Sequence, residues 1–134
     1  MEIAFVSGMQ CYFASCELPV GRQMEKTAVV TFTIPEVGII FKAPFAAVDK
    51  LHSEYAALLA LLEFIDSNQK YFPNRAYQIF GNDLHVVNQV NRKESVGDQF
   101  EPLLEKALNY RQKYRFSLNW VPTNENPAAE LLSD

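Results

Sequence analysis

Two short stretches of the 134-residue chain carry side chains suited to chemistry, and they frame residues 52 to 88. The first, His52-Ser53-Glu54-Tyr55-Ala56-Ala57-Leu58, opens an apolar helix and holds one acid, Glu54, in its first turns. The second, Ile79-Phe80-Gly81-Asn82-Asp83-Leu84-His85, is an apolar run that breaks at a glycine and restarts with helical character. A strand-to-helix break of this kind puts polar side chains at the carboxyl end of a sheet, where ligands of open α/β sheets bind. Glu54 and Asn82 are therefore the expected catalytic pair. Both also have structural uses: an acid near a helix N-terminus suits the macrodipole, and Asn82 suits the N-cap of a helix starting at Asp83. Glu130 closes a third stretch, Asn126-Pro127-Ala128-Ala129-Glu130, where a cap Asn and a first-turn Pro mark a helix start. By pattern alone Glu130 is a solvated face residue. His52 and His85 lie on predicted helices and have no metal-ligand partner at suitable spacing.

The elements that must position these residues follow in order. Ile3 to Gly8 predicts a first strand with Ser7 at its carboxyl end, while residues 9 to 23 are either its continuation or a loop. Lys26 to Ile34 and Val37 to Ala43 read as two further strands around Pro35-Glu36. Asp49 caps a long helix with apolar positions Leu51, Tyr55, Leu58, Leu59, Leu62 and Ile65. A strand over 76 to 80, a short helix over 83 to 91, a helix over 100 to 114, a strand over 116 to 121 and a terminal helix complete the chain. The order βββ-α-β-α-α-β-α implies an α/β fold with a mixed five-stranded sheet, three antiparallel strands then βα units, and helices on both faces.

Half of the residues are apolar, enough for one core, and no repeat or linker divides residues 1–134. The net charge of −4 excludes a broadly basic nucleic-acid binder, so any such partner must be gripped locally. Arg92-Lys93 and the group Arg111, Lys113 and Arg115 around Tyr110 and Tyr114 are the basic candidates, although Arg111 and Lys113 also suit a helix C-terminus. Cys11 and Cys16 form no disulfide framework or zinc spacing, and on an extended strand they point to opposite faces. With no leader-like start and no run of about 18 apolar residues, the expectation is a cytoplasmic chain without a membrane partner.

Element order and four short motifs together resemble the ribonuclease H family over nearly the whole chain. Its members carry an Asp-Gly ending the first strand, a Glu in the first helix, an Asp-Ser ending the fourth strand, and Asn-x-x-Ala-Asp near the last helix. The matching stretches are Ser7-Gly8, Ser53-Glu54-Tyr55-Ala56-Ala57-Leu58, Gly81-Asn82-Asp83 through Val90, and Asn126 through Glu130, with Trp120-Val121-Pro122 like the closing strand. The resemblance implies four carboxylates holding two divalent cations for phosphodiester hydrolysis. It puts Ser7 and Asn82 where the family has Asp, keeps Glu54, and replaces the last Asp by the longer Glu130. Asp83 stands one residue along as a substitute for Asn82, on the other face of the sheet unless the turn relaxes. Magnesium or manganese would then be held weakly, through Glu54 and Glu130. The implied function is a catalytically weak or inactive homologue, a pseudoenzyme, binding an RNA–DNA hybrid or RNA through Arg92, Lys93, Arg111 and Lys113. Two alternatives stand beside it: an active metal-dependent ribonuclease, and a protein-interaction module without nucleic acid.

Overall fold

The computed structural model describes residues 8–17, 26–47, 49–72, 76–95 and 97–132. Its sheet is built from β1 (Met9–Glu17), β2 (Lys26–Ile34), β3 (Ile39–Ala47), β4 (Tyr77–Gly81) and β5 (Phe116–Trp120). The spatial order is β3-β2-β1-β4-β5. The β1–β2 and β2–β3 pairs are antiparallel, whereas β1–β4 and β4–β5 are parallel. β1 thus sits at the point where the chain's connections leave the sheet in opposite directions, the position that opens a crevice at the strands' carboxyl ends.

The undecided residues 9 to 17 are β1 itself. Met9, Cys11 and Phe13 alternate inward and are buried, while Gln10 and Tyr12 face the other way. Cys11 and Cys16 fall on opposite faces, and both are free thiols. The expected strand over 3 to 8 lies, apart from Gly8, outside the described residues; Gly8 stands at the amino end of β1, packed against Ala76 and Tyr77. β3 runs four residues past the expected end at Ala43, through Pro44. An edge strand tolerates proline because one side of its backbone has no ladder to feed.

Helix α1 (Lys50–Ser67) starts where the Asp49 carboxylate accepts the His52 N–H at 2.9 Å. Its face of Tyr55, Leu58, Leu61, Leu62 and Ile65 is buried with Phe13, Phe32 and Ile79 of the sheet. α2 (Leu84–Val90) and α3 (Glu101–Lys113) complete this layer with Val86, Val90, Leu104 and Ala107. Each Val, Leu, Ile or Phe among them contributes roughly 1.5–3 kcal/mol on burial. The short α4 (Pro127–Glu130) lies on the opposite face, where the Thr31 hydroxyl reaches the carbonyls of Ala14 and Ala128 at 3.2 and 2.9 Å. Helices therefore occupy both faces, as the sequence predicts.

A close approach lies at the end of the β1–β4 ladder, where Phe13 pairs with Gly81. A Cβ on Gly81 would stand 2.4 Å from Cζ of the Phe13 ring. Gly81→Ala is expected to destabilise the protein by about 1–3 kcal/mol, the usual cost of overpacking. Chemical denaturation of the single and double variants checks the cause: Phe13→Leu should remove part of that cost, giving a non-additive cycle.

Candidate functional site at the carboxyl ends of β1 and β4

Glu54 lies one turn into α1 and is fully buried. Its Oε2 is 2.7 Å from Ser15 Oγ on β1 and 3.2 Å from Lys50 Nζ, one helical turn earlier. Ser15 Oγ lies 2.8 Å from Ser53 Oγ, which donates to the Lys50 carbonyl at 2.8 Å. Three contacts thus share the protons of two hydroxyls. If Glu54 is ionised, Ser15 donates to it and nothing is left for the Ser15–Ser53 contact. A protonated Glu54 donates to Ser15, Ser15 to Ser53, and Ser53 to the backbone, so every contact carries a proton. Burial pushes the Glu54 carboxyl above its ordinary range and outweighs the hydrogen bond from Ser15 and the charge of Lys50; the charge of Asp83 pushes it further. Oε1 is buried without a hydrogen-bond partner.

Asn82 follows β4 directly, and its Oδ1 accepts from Asn126 Nδ2 at 2.6 Å. The same Nδ2 donates to the Phe13 carbonyl at 2.9 Å, and Asn126 Oδ1 accepts the Ala128 N–H at 3.0 Å. One buried carboxamide therefore ties β1, the end of β4 and α4 together while capping α4. The expectation that Asn82 caps α2 is corrected: Asp83 is the cap, its Oδ1 accepting the N–H groups of His85 and Val86 at 2.9 and 3.2 Å. A cap needs its side chain turned back over the first helical turn, and the Asn82 carboxamide is turned to Asn126. The indole of Trp120 holds the Asn82 carbonyl at 3.3 Å.

Ser7 lies outside the described residues. The β1 residues that face this site are Phe13, beside Gly81, and Ser15, against Glu54. Neither is a carboxylate. Glu130 lies on α4 with its side chain exposed, and its N–H reaches the Asn126 carbonyl at 3.3 Å. Among the described residues, no group of three or more His, Cys, Asp or Glu is placed to share a cation. Sequence reasoning passed over Phe13, Ser15 and Ser53; the in-out alternation of Cys11, Phe13 and Ser15 was the signal for them.

The basic residues separate into two pairs. Arg92 and Lys93 are exposed beyond the end of α2, Arg92 with a left-handed φ of 66°. Arg111 is half-buried, donating to the Val90 carbonyl at 3.2 Å and to Asn91 Oδ1 at 3.0 Å, with its guanidinium over the Phe116 ring. Lys113 pairs with Asp66 at 2.7 Å, and the Tyr114 hydroxyl donates to the same carboxylate. His85 pairs with Glu94 at 2.8 Å.

Strand order, mixed pairing and the crevice between β1 and β4 define a ribonuclease H-like fold. LC11-RNase H1, solved in complex with an RNA/DNA hybrid, superposes with a TM-score of 0.70 at 15% identity, covering 91% of this chain and 92% of that one. RNase H1 from the archaeon Halobacterium salinarum gives 0.67 at 17% identity, covering 92% and 93%. The N-terminal RNase H domain of a Mycobacterium tuberculosis protein gives 0.68 at 15% identity, covering 92% and 95%. No family model and no curated protein sequence matches the chain.

The raised Glu54 pKa fixes the sign of a pH effect. Over the window from the ordinary carboxylate value of 4.5 up to the raised value, the folded state binds more protons than the unfolded chain. That contribution to stability is fully present below the window and is lost as pH rises through it. Glu54→Gln places an N–H where the acid proton sits and removes this titration, so urea denaturation at a series of pH values should show the parent losing stability with rising pH more steeply than the variant.

Proposed function

We propose that this chain is a ribonuclease H-like protein that binds an RNA–DNA hybrid or RNA and has weak or no hydrolytic activity. The observation carrying the proposal is the Phe13 ring packed over Gly81 where the fold brings β1 to β4. Paired divalent cations need convergent carboxylates, with waters and substrate phosphate completing the shell. Here Phe13 offers hydrocarbon, Ser15 a hydroxyl already in use, Asn82 an oxygen engaged by Asn126, and Glu54 a carboxyl that burial favours as the neutral acid. This donor set does not fit two magnesium or manganese ions, and no hydrolytic step is derived through them. Hybrid binding is supported by likeness to a structure solved on that ligand, and the grip falls to Arg92 and Lys93, whose exposed side chains leave their charge to phosphate. We read the chain as cytoplasmic, a reading its two free thiols support because they suit a reducing compartment.

Incubation with a labelled hybrid in magnesium and in manganese should show no cleavage above that of Glu54→Gln. Robust cleavage by the parent that Glu54→Gln abolishes would establish the active-nuclease reading instead. Fluorescence anisotropy should show hybrid binding that weakens with salt, because phosphate contacts release counterions. Joint Arg92→Ala and Lys93→Ala substitution should weaken that binding severalfold with stability unchanged. Arg111→Ala should instead cost about 1–3 kcal/mol of stability, since it leaves the groups it bonds at the end of α2 without their partner. Salt-independent binding, or none, would favour a protein-interaction module.

A further inference from the structure

Four of the six large apolar side chains exposed among the described residues, Val37, Ile40, Phe41 and Tyr71, lie around the turn into β3 and along that strand. Ile40 and Tyr71 are 66% and 65% exposed. Ile40 and Phe41 stand on opposite faces of β3: the Phe41 ring stacks on Phe32 on the helix side, and Ile40 shares the face of Lys42. Below the inward face of β3 lie two hollows of about 410 and 340 Å³, one lined by Ile39, Phe64 and Phe72, the other by Phe41, Phe45 and Leu59. Among the described residues β3 is also an edge strand, with β2 on one side only.

Pro44 shows which backbone groups face outward. The β2–β3 register runs unbroken from Lys26↔Ala47 to Ile34↔Ile39 and includes Val29↔Pro44. Pro44 has no N–H, so an unbroken ladder accommodates it where the N–H would point away from β2. Residues two and four earlier share that orientation, which leaves the N–H and C=O of Ile40 and Lys42 on the free edge. A charged side chain commonly guards such an edge. The Lys42 amine is instead drawn back to the Leu131 carbonyl at 2.7 Å.

We infer that the Ile39–Ala43 edge pairs antiparallel with the same edge of a second copy of this chain, about a two-fold axis through Phe41. Ile40 then exchanges two hydrogen bonds with Lys42 of the second copy and Lys42 two with its Ile40, so all four outward donors and acceptors are met. Pro44 falls opposite Gly38 of the second copy, outside its strand, where a missing N–H costs nothing. The Phe41 rings meet on the helix side of the joined sheet, above the hollows. This self-complementarity selects a second copy over a foreign strand: one segment supplies both partners, and the two-fold axis doubles the apolar area covered, as an isologous interface requires. The pairing lies on β3 and does not depend on the nucleic-acid reading.

Sedimentation velocity over a concentration series of the full chain should show a monomer–dimer equilibrium. Ile40→Lys and Lys42→Pro should each raise the dissociation constant at least about tenfold, with circular dichroism unchanged, because proline at an outward position is already tolerated at Pro44. Phe41→Cys in a Cys16→Ser background gives a second readout. Directly opposed residues in a non-hydrogen-bonded pair have Cβ atoms about 4.5 Å apart, so oxidation should cross-link the dimer. A monomer at every concentration, a dimer indifferent to both edge variants, a dimer that does not cross-link at position 41, or a chain that stays monomeric while binding a foreign strand would each overturn the inference.

Discussion

The contact on which the carboxyl end of the sheet depends is that of one phenyl ring with one bare Cα. Phe13 and Gly81 are register partners in the β1–β4 ladder, and the ring occupies the space a side chain at 81 would need. A glycine at that point leaves room for the tip of the ring in the core, and it ends β4 where the backbone turns into Asn82 and Asp83. The Asn126 carboxamide then spans the Phe13 carbonyl and the Asn82 side chain, joining α4 to both strands. Packing and polar satisfaction thus settle at the same few residues, as they must in a close-packed interior.

The neighbouring hydroxyl chain follows the same logic. A buried carboxyl beside two serines is costly as an anion, and the Glu54–Ser15–Ser53–Lys50 sequence of contacts is complete when the acid is neutral. Across the fold these polar side chains are tied to partners: Asn82 to Asn126, Asp83 to the N–H groups that start α2, Arg111 to the end of α2, and Lys113 to Asp66. Residues of types that bind ligands elsewhere are here spent on holding the elements together. Arg92, Lys93 and Glu130 keep exposed side chains, and the proposed nucleic-acid role draws its contacts from the first two.

Much of this was legible in the residues alone. Apolar spacing located α1, Pro and Asn located α4, and the order of elements with four short motifs pointed to the ribonuclease H-like fold that the sheet order bears out. Asp49 and Asn126 cap their helices as their residue types predict. The exchange of caps at 82 and 83 was not legible, because Asn and Asp are near-equal N-caps and only the position of Asn126, 44 residues away, decides between them. β1 escaped because its run mixes Gln, Tyr, Cys and Ser, and its strand character comes from pairing with β2 and β4 rather than from propensity.

The sequence by itself determined the succession of strands and helices and the burial of α1, because periodicity and capping are local properties. Tertiary structure decided that Phe13 and Ser15 face the crevice, that Glu54 meets the Ser15 hydroxyl, and that Arg111 is half-buried against the end of α2 while Lys113 pairs with Asp66. Those outcomes depend on how elements distant in the chain come together, and a shift of one residue in the register of β1 would turn Phe13 and Ser15 to the opposite face.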